Sequence, residues 1–113
     1  MVMPKPPIDF LVDSFVYKEY TGTNRYSEPE YASPITIEHC RIDRGAAYTS
    51  TTSGKQLLYN AVVFCYEGMT TPLPVFKAQS VLVYDEQEHV VTKVITICEA
   101  YSTTIYSYEL EVV

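Results

Sequence analysis

The last stretch of the chain, IYSYELEVV, alternates with a period of two. Tyr106, Tyr108, Leu110 and Val112 fall on one side, and Ser107, Glu109 and Glu111 on the other. A helix cannot use that pattern, because its side chains repeat every 3.6 residues. A strand with one face in a core and the other in water can. Apolar, β-branched and Tyr-rich segments recur at residues 12–20, 35–43, 56–66, 81–84 and 89–98, separated by Gly, Pro and polar clusters. No segment is convincingly amphipathic at helical spacing, and no internal repeat is visible. The pattern predicts an all-β fold, a small single-domain β-barrel of about six strands, with a sandwich as the alternative.

Composition supports one domain. A chain of 113 residues has room for a single core, and 47% hydrophobic content is ordinary for a globular protein. Eleven Tyr, no Trp and only four Gly suit strands. Residues 1–11, with Pro4, Pro6 and Pro7, read as an extended N-terminal arm. Its lack of a signal-peptide apolar core leads us to expect synthesis in the cytoplasm. No apolar run approaches the roughly 20 residues that span a bilayer, so no membrane partner is expected. The net charge of −6 argues against the broad basic face of a duplex-binding protein.

Between the second and third strands lies the long polar insert Arg44–Lys55, expected to be a flexible loop. Strand neighbours in compact domains are usually joined by two to five residues. Its Ser53-Gly54-Lys55 end resembles a phosphate-binding loop only superficially. Eight residues separate Gly45 from Gly54, Gln56 follows Lys55, and a strand rather than a helix comes next. Arg41, Arg44 and Lys55 border the insert, three of the chain's eight basic residues. Insertions of this length are uncommon unless functional or disordered, which makes it the first candidate for a working element.

Two strands carry apolar residues on both faces. In the third, Leu57, Tyr59, Ala61, Val63 and Cys65 oppose Leu58, Val62, Phe64 and Tyr66. In the fifth, Val90 and Val94 oppose Val91, Ile95 and Ile97. A small barrel covers only its inner side. Leu58, Val62, Phe64, Tyr66, Val91, Ile95 and Ile97 are therefore candidates for a subunit interface, unless the arm or the loop at 21–34 folds over them.

Reactive groupings are sparse. His39 and Cys40 are adjacent, so a strand sends them to opposite faces. Cys40, Cys65 and Cys98 are odd in number and scattered, and read as small buried apolar residues rather than a disulfide framework. His89 follows an acidic turn, where a solvated imidazole is expected. Asp85, Glu86 and Glu88 lack the Gly and ligand spacing of a calcium loop and read as a charged hairpin tip. No catalytic residue, cofactor or metal is expected.

The segments EPEYASPITIEHCRIDRG, GKQLLYNAVVFCYEG, TPLPVFKAQSVLVYD and IYSYELEVV resemble the minor capsid protein family of tailed phages and prophages of Gram-positive bacteria. The resemblance runs from Pro4 to Val113. It implies a non-enzymatic virion protein at the head–tail junction, similar to the small β-barrel head-completion or stopper proteins. It further implies a ring oligomer, dodecameric in the virion. Its neighbours would be portal or adaptor proteins and tail-end proteins, and packaged double-stranded DNA would pass through without sequence-specific binding. In stopper proteins the loop between strands two and three gates the channel. By strand count this matches Arg44, Gly45, Tyr48, Thr49, Thr51, Thr52, Gly54 and Lys55. The alternatives are another neck or tail-end component, an adaptor or tail terminator, and a small prophage-encoded ligand-binding barrel.

Overall fold

The computed structural model describes residues 4–113; the first residues of the expected arm, 1–3, lie outside the described residues. Strands follow in chain order as β1 (Asp13–Lys18), β2 (Tyr20–Thr23), β3 (Pro29–Tyr31), β4 (Ile35–Asp43) and β5 (Ala47–Thr51). Then come β6 (Gly54–Tyr59), β7 (Ala61–Tyr66), β8 (Val81–Tyr84), β9 (Gln87–Cys98) and β10 (Ile105–Val112). Six of them close into a barrel in the order β1–β4–β7–β10–β9–β8, each antiparallel to its neighbours. The expected all-β, six-stranded barrel is the fold of this chain.

Period-two alternation fills the barrel. Phe15 and Tyr17 point inward from β1, and Tyr108, Leu110 and Val112 from β10. Phe76, delivered by the irregular connection between β7 and β8, plugs the centre. Its ring meets Tyr17 and Tyr108 edge-on at 5.1 and 5.3 Å, a geometry favoured by the ring quadrupoles. The buried Tyr17 hydroxyl donates to Ser80 Oγ at 3.2 Å and accepts the Lys77 amide at 3.0 Å. The barrel interior is thus a packed core rather than a ligand chamber.

Three bulges shift the alternation of the barrel strands. On β10, Ile105 faces Cys98 and Ser107 faces Ile97, so Tyr106 is an extra residue. It meets Tyr66 instead of joining Tyr108, Leu110 and Val112 in the core, where the alternation places it. Asp13 pairs with Cys40 but Ser14 with Glu38, so His39 is an extra residue, held at φ 61°. This lets Ile37, Cys40 and Ile42 all face inward. On β9, Lys93 faces Glu111 while Val91 faces Val112, leaving Thr92 as the extra residue. Val91 is therefore fully buried in the core, which corrects its assignment to an outer interface with Ile95 and Ile97.

The remaining four strands make two separate antiparallel ribbons, β2–β3 and β5–β6. The expected loops at 21–34 and 44–55 are thus largely ordered hairpins. The expected third strand divides at Asn60, whose amide donates to Val112 O at 2.7 Å. Barrel pairing with β10 starts at Ala61, so Leu57, Leu58 and Tyr59 belong to a ribbon instead. The β8–β9 turn is also tighter than expected. Asp85 and Glu86 alone form it, both at positive φ, while Gln87 and Glu88 are already in β9.

Because all barrel neighbours are antiparallel, the ends are well defined. The β5–β6 ribbon joins the end of β4 to the start of β7, beside the Asp85–Glu86 turn. The β2–β3 ribbon joins the end of β1 to the start of β4, at the other end. The radius of gyration, 15.3 Å, exceeds the roughly 13 Å expected of a compact chain this long. Protruding ribbons account for the difference.

Candidate functional site: a ribbon and a barrel wall

At the base of the β5–β6 ribbon stands Arg44. Its Nε and Nη2 donate to the two carboxylate oxygens of Asp85 at 2.6 and 3.2 Å, and Nη2 also reaches Asp13 Oδ1 at 3.3 Å. The guanidinium lies 5.7 Å from the Tyr84 ring centre. Such a two-pronged pair fixes direction as well as charge. The pair raises the Arg44 pKa and holds the Asp85 carboxyl below the usual carboxylate range. Arg44 therefore anchors the ribbon to the barrel rim, which separates it from the other residues of the expected gate. Gly45 completes the entry, its amide donating to Asp43 Oδ1 at 3.2 Å.

Beyond this clasp the ribbon pairs Tyr48 with Leu57, Thr49 with Gln56, Ser50 with Lys55 and Thr51 with Gly54. Leu58 is the bulged residue near its base. Gly54 sits at φ +120°, where other L-residues are strained. Thr51 Oγ1 donates to Gly54 O at 2.8 Å and accepts the Ser53 amide, closing the tip around Thr52 and Ser53. Every residue from 48 to 58 is exposed. Lys55 is the only charge between Gly45 and Tyr59, and it makes no ion pair among the described residues. Tyr48 and Leu57 stay exposed, 59% and 38%, although they pair across the ribbon. A two-stranded ribbon is marginal alone in water, so these side chains suit an element completed by neighbours.

The barrel wall carries the remaining expected interface residues. Register places Phe64 between Arg41 and Glu109, with Ile95 beyond Glu109. The next rows are Val62–Glu111–Lys93 and Tyr66–Ser107–Ile97. Val62, Phe64, Tyr66, Ile95 and Ile97 are all half-buried and face outward, whereas Leu58 stands on the ribbon. Self-cover reaches one corner of this wall. Lys5 lies over the Tyr106 ring at 5.5 Å, Tyr106 OH donates to Pro4 O at 2.6 Å, and Tyr66 meets Tyr106 edge-on at 5.9 Å. Leu11, the last residue of the same arm, is buried and helps Phe10, Arg41 and Tyr66 to line an open groove of about 460 Å³. Burial raises the Tyr66 phenol pKa.

The potentially reactive residues are kept apart. Cys40 is buried while its neighbour His39 is exposed, a separation set by the bulge at His39 rather than by plain alternation. Burial pushes the Cys40 thiol up to about 12 and the Cys65 thiol well above its usual value. Both are poor nucleophiles, since only the thiolate reacts readily. Cys98 departs from expectation and is exposed. His89 departs too: it is half-buried and stacks on Tyr84 at 4.0 Å and 7°. Among the described residues no group of three or more His, Cys, Asp or Glu is placed to hold a metal ion. The Arg44 clasp was not anticipated from the sequence. Its partners lie 31 and 41 positions away, and no local pattern connects them.

Comparison with known proteins gives a family and a relative. The model of a family described as minor capsid protein matches residues 7–112. Over 80 residues the chain is 25% identical to the uncharacterized protein ORF5 of Lactococcus phage LL-H, covering 68% of each chain. No solved structure matches.

Proposed function

Since this chain belongs to the minor capsid protein family of phages, a family of structural virion components, we propose that it is a head-completion connector of the neck. Copies form a ring below the portal or its adaptor, retain packaged DNA and present a surface to the tail. The β5–β6 ribbon is the gate, reaching from one barrel end into a lumen shared by identical copies. No catalytic step is involved.

The observation that carries this reading is the ribbon itself. It is ordered, clasped at its base by Arg44, exposed along its length, free of acidic residues and tipped by small hydroxyl side chains. One lysine per copy is a weak hold on a phosphate backbone, but a ring multiplies it. The rest of the chain is acidic, so DNA finds few cations that could displace its counterions and stall its passage. The solid core weighs against the ligand-binding alternative, since that role needs a concave chamber.

The test replaces residues 47–58 with a two-residue Asn-Gly turn in the phage. We expect particles that package DNA and then lose it. Filled, infectious particles would overturn the gate.

A further inference from the structure

A closed barrel of six strands sets each strand across from the one three places round, so β1 lies opposite β10 and β8 opposite β7. Each of these opposed walls mixes apolar and charged side chains on its outside: Val62 and Phe64 stand beside Glu111 and Glu109 on one, Val16 and Val83 beside Lys18 and Glu88 on the other. On the β7–β10 wall, Glu111 has Lys93 as its cross-strand neighbour, which leaves Glu109, between Phe64 and Ile95, as the central carboxylate. On the β1–β8 wall, Val16 pairs with Val83, and Lys18 pairs with Val81, whose other neighbour is Val90. Phe15, Tyr17 and Leu82 face the core, so Val16, Lys18 and Val83 face outward. Val90 is 42% exposed. Lys18 has one distant partner, Glu88 at 3.7 Å, itself largely in solvent.

We infer that the β7–β10 wall of one copy docks on the β1–β8 wall of the next, with Lys18 facing Glu109 among apolar side chains. The inference rests on the ring reading above and names the contact that builds it. Three observations carry it. The walls are on opposite sides of the barrel, the arrangement a large ring requires. Their central charges differ, so a contact between two identical β7–β10 walls would bring Glu109 near its own copy, whereas the unlike contact sets it near Lys18 and is attractive. Repetition of an unlike contact generates rings rather than closed pairs. The contact also leaves both barrel ends, and both ribbons, clear of neighbouring barrels.

The experiment uses phage particles whose only reactive thiols are introduced ones. In a Cys98→Ser background, Val16→Cys and Glu109→Cys are made separately and together, and particles are treated with a short bis-maleimide. We expect a ladder of covalent multimers from the double variant and monomers from each single one. Dimers from Glu109→Cys alone would overturn the proposal, because like walls would then be meeting. So would monomers from the double variant in assembled particles. Charge reversal guards against a folding artefact: Glu109→Lys should abolish incorporation into particles, and adding Lys18→Glu should restore it. Failure of that restoration, with both single variants folded, would also overturn the contact. The ladder reads lateral contact and ribbon replacement reads DNA retention, so either can fail without the other.

Discussion

Asp85 turns a two-residue hairpin and at the same time holds Arg44, so one side chain ties two connections of the barrel rim together. Its carboxyl pKa is lowered in the fold. The stabilisation is therefore present above the ordinary value of about 4 and is lost as pH falls through the lowered value. Protection of the Gly45 amide, taken relative to the intrinsic exchange rate at each pH, should fall on acidification below that point, and should already be low at neutral pH in Asp85→Asn. The pair is exposed, so global stability should change little. The buried thiols work in the opposite sense. Cys40 is pushed up to about 12, so its contribution is complete below the unfolded thiol's range, about 8.5, and is lost as pH rises from there towards 12. Urea midpoints should fall between pH 8 and 10.5, and in the folded protein only Cys98 should react quickly with a thiol reagent. Phe76→Ala should cost about 3–5 kcal/mol by removing the ring on which Tyr17 and Tyr108 pack. Tyr101→Ala, at a fully exposed position, should stay within about 0.5 kcal/mol. Chemical denaturation distinguishes the two.

The strands themselves were legible because a half-buried strand writes its period directly into the chain. Phe15 and Tyr17 on one face of β1, and Tyr108, Leu110 and Val112 on one face of β10, could be read from spacing alone. The bulges could not. An extra residue at His39 or Thr92 depends on which partner residue stands opposite, and that is decided across the sheet. That is why Val91 was grouped outward with Ile95 and Ile97. The β5–β6 ribbon was concealed differently. Its Thr and Ser residues suit a strand as well as a loop, and its Tyr48–Leu57 and Thr49–Gln56 pairs emerge only in register. Gly54, which closes the tip, carried the one local signal. As the ribbon packs mainly on itself, replacing 47–58 with a short turn should leave the barrel's thermal midpoint within a few degrees. A drop of tens of degrees on calorimetry would mean that the ribbon is part of the core.

For the whole molecule, the decisive property is polarity along the barrel. One end extends a ribbon with no acid and a single lysine, which makes no ion pair among the described residues. The other extends β2–β3, which carries Arg25 beside Glu28 and Glu30 and stacks Tyr20 against Tyr31 edge-on at 6.2 Å. The proposed connector would meet different neighbours above and below, and the two barrel ends of this chain differ accordingly. The family sets the protein in the virion; its position within the virion depends on where the β5–β6 ribbon points. Electron cryomicroscopy of the phage neck tests this directly. The expected result is a ring of six-stranded barrels with residues 47–59 converging on the central channel. A ring in which those residues face the outside of the neck, or density for this chain elsewhere in the particle, would contradict it.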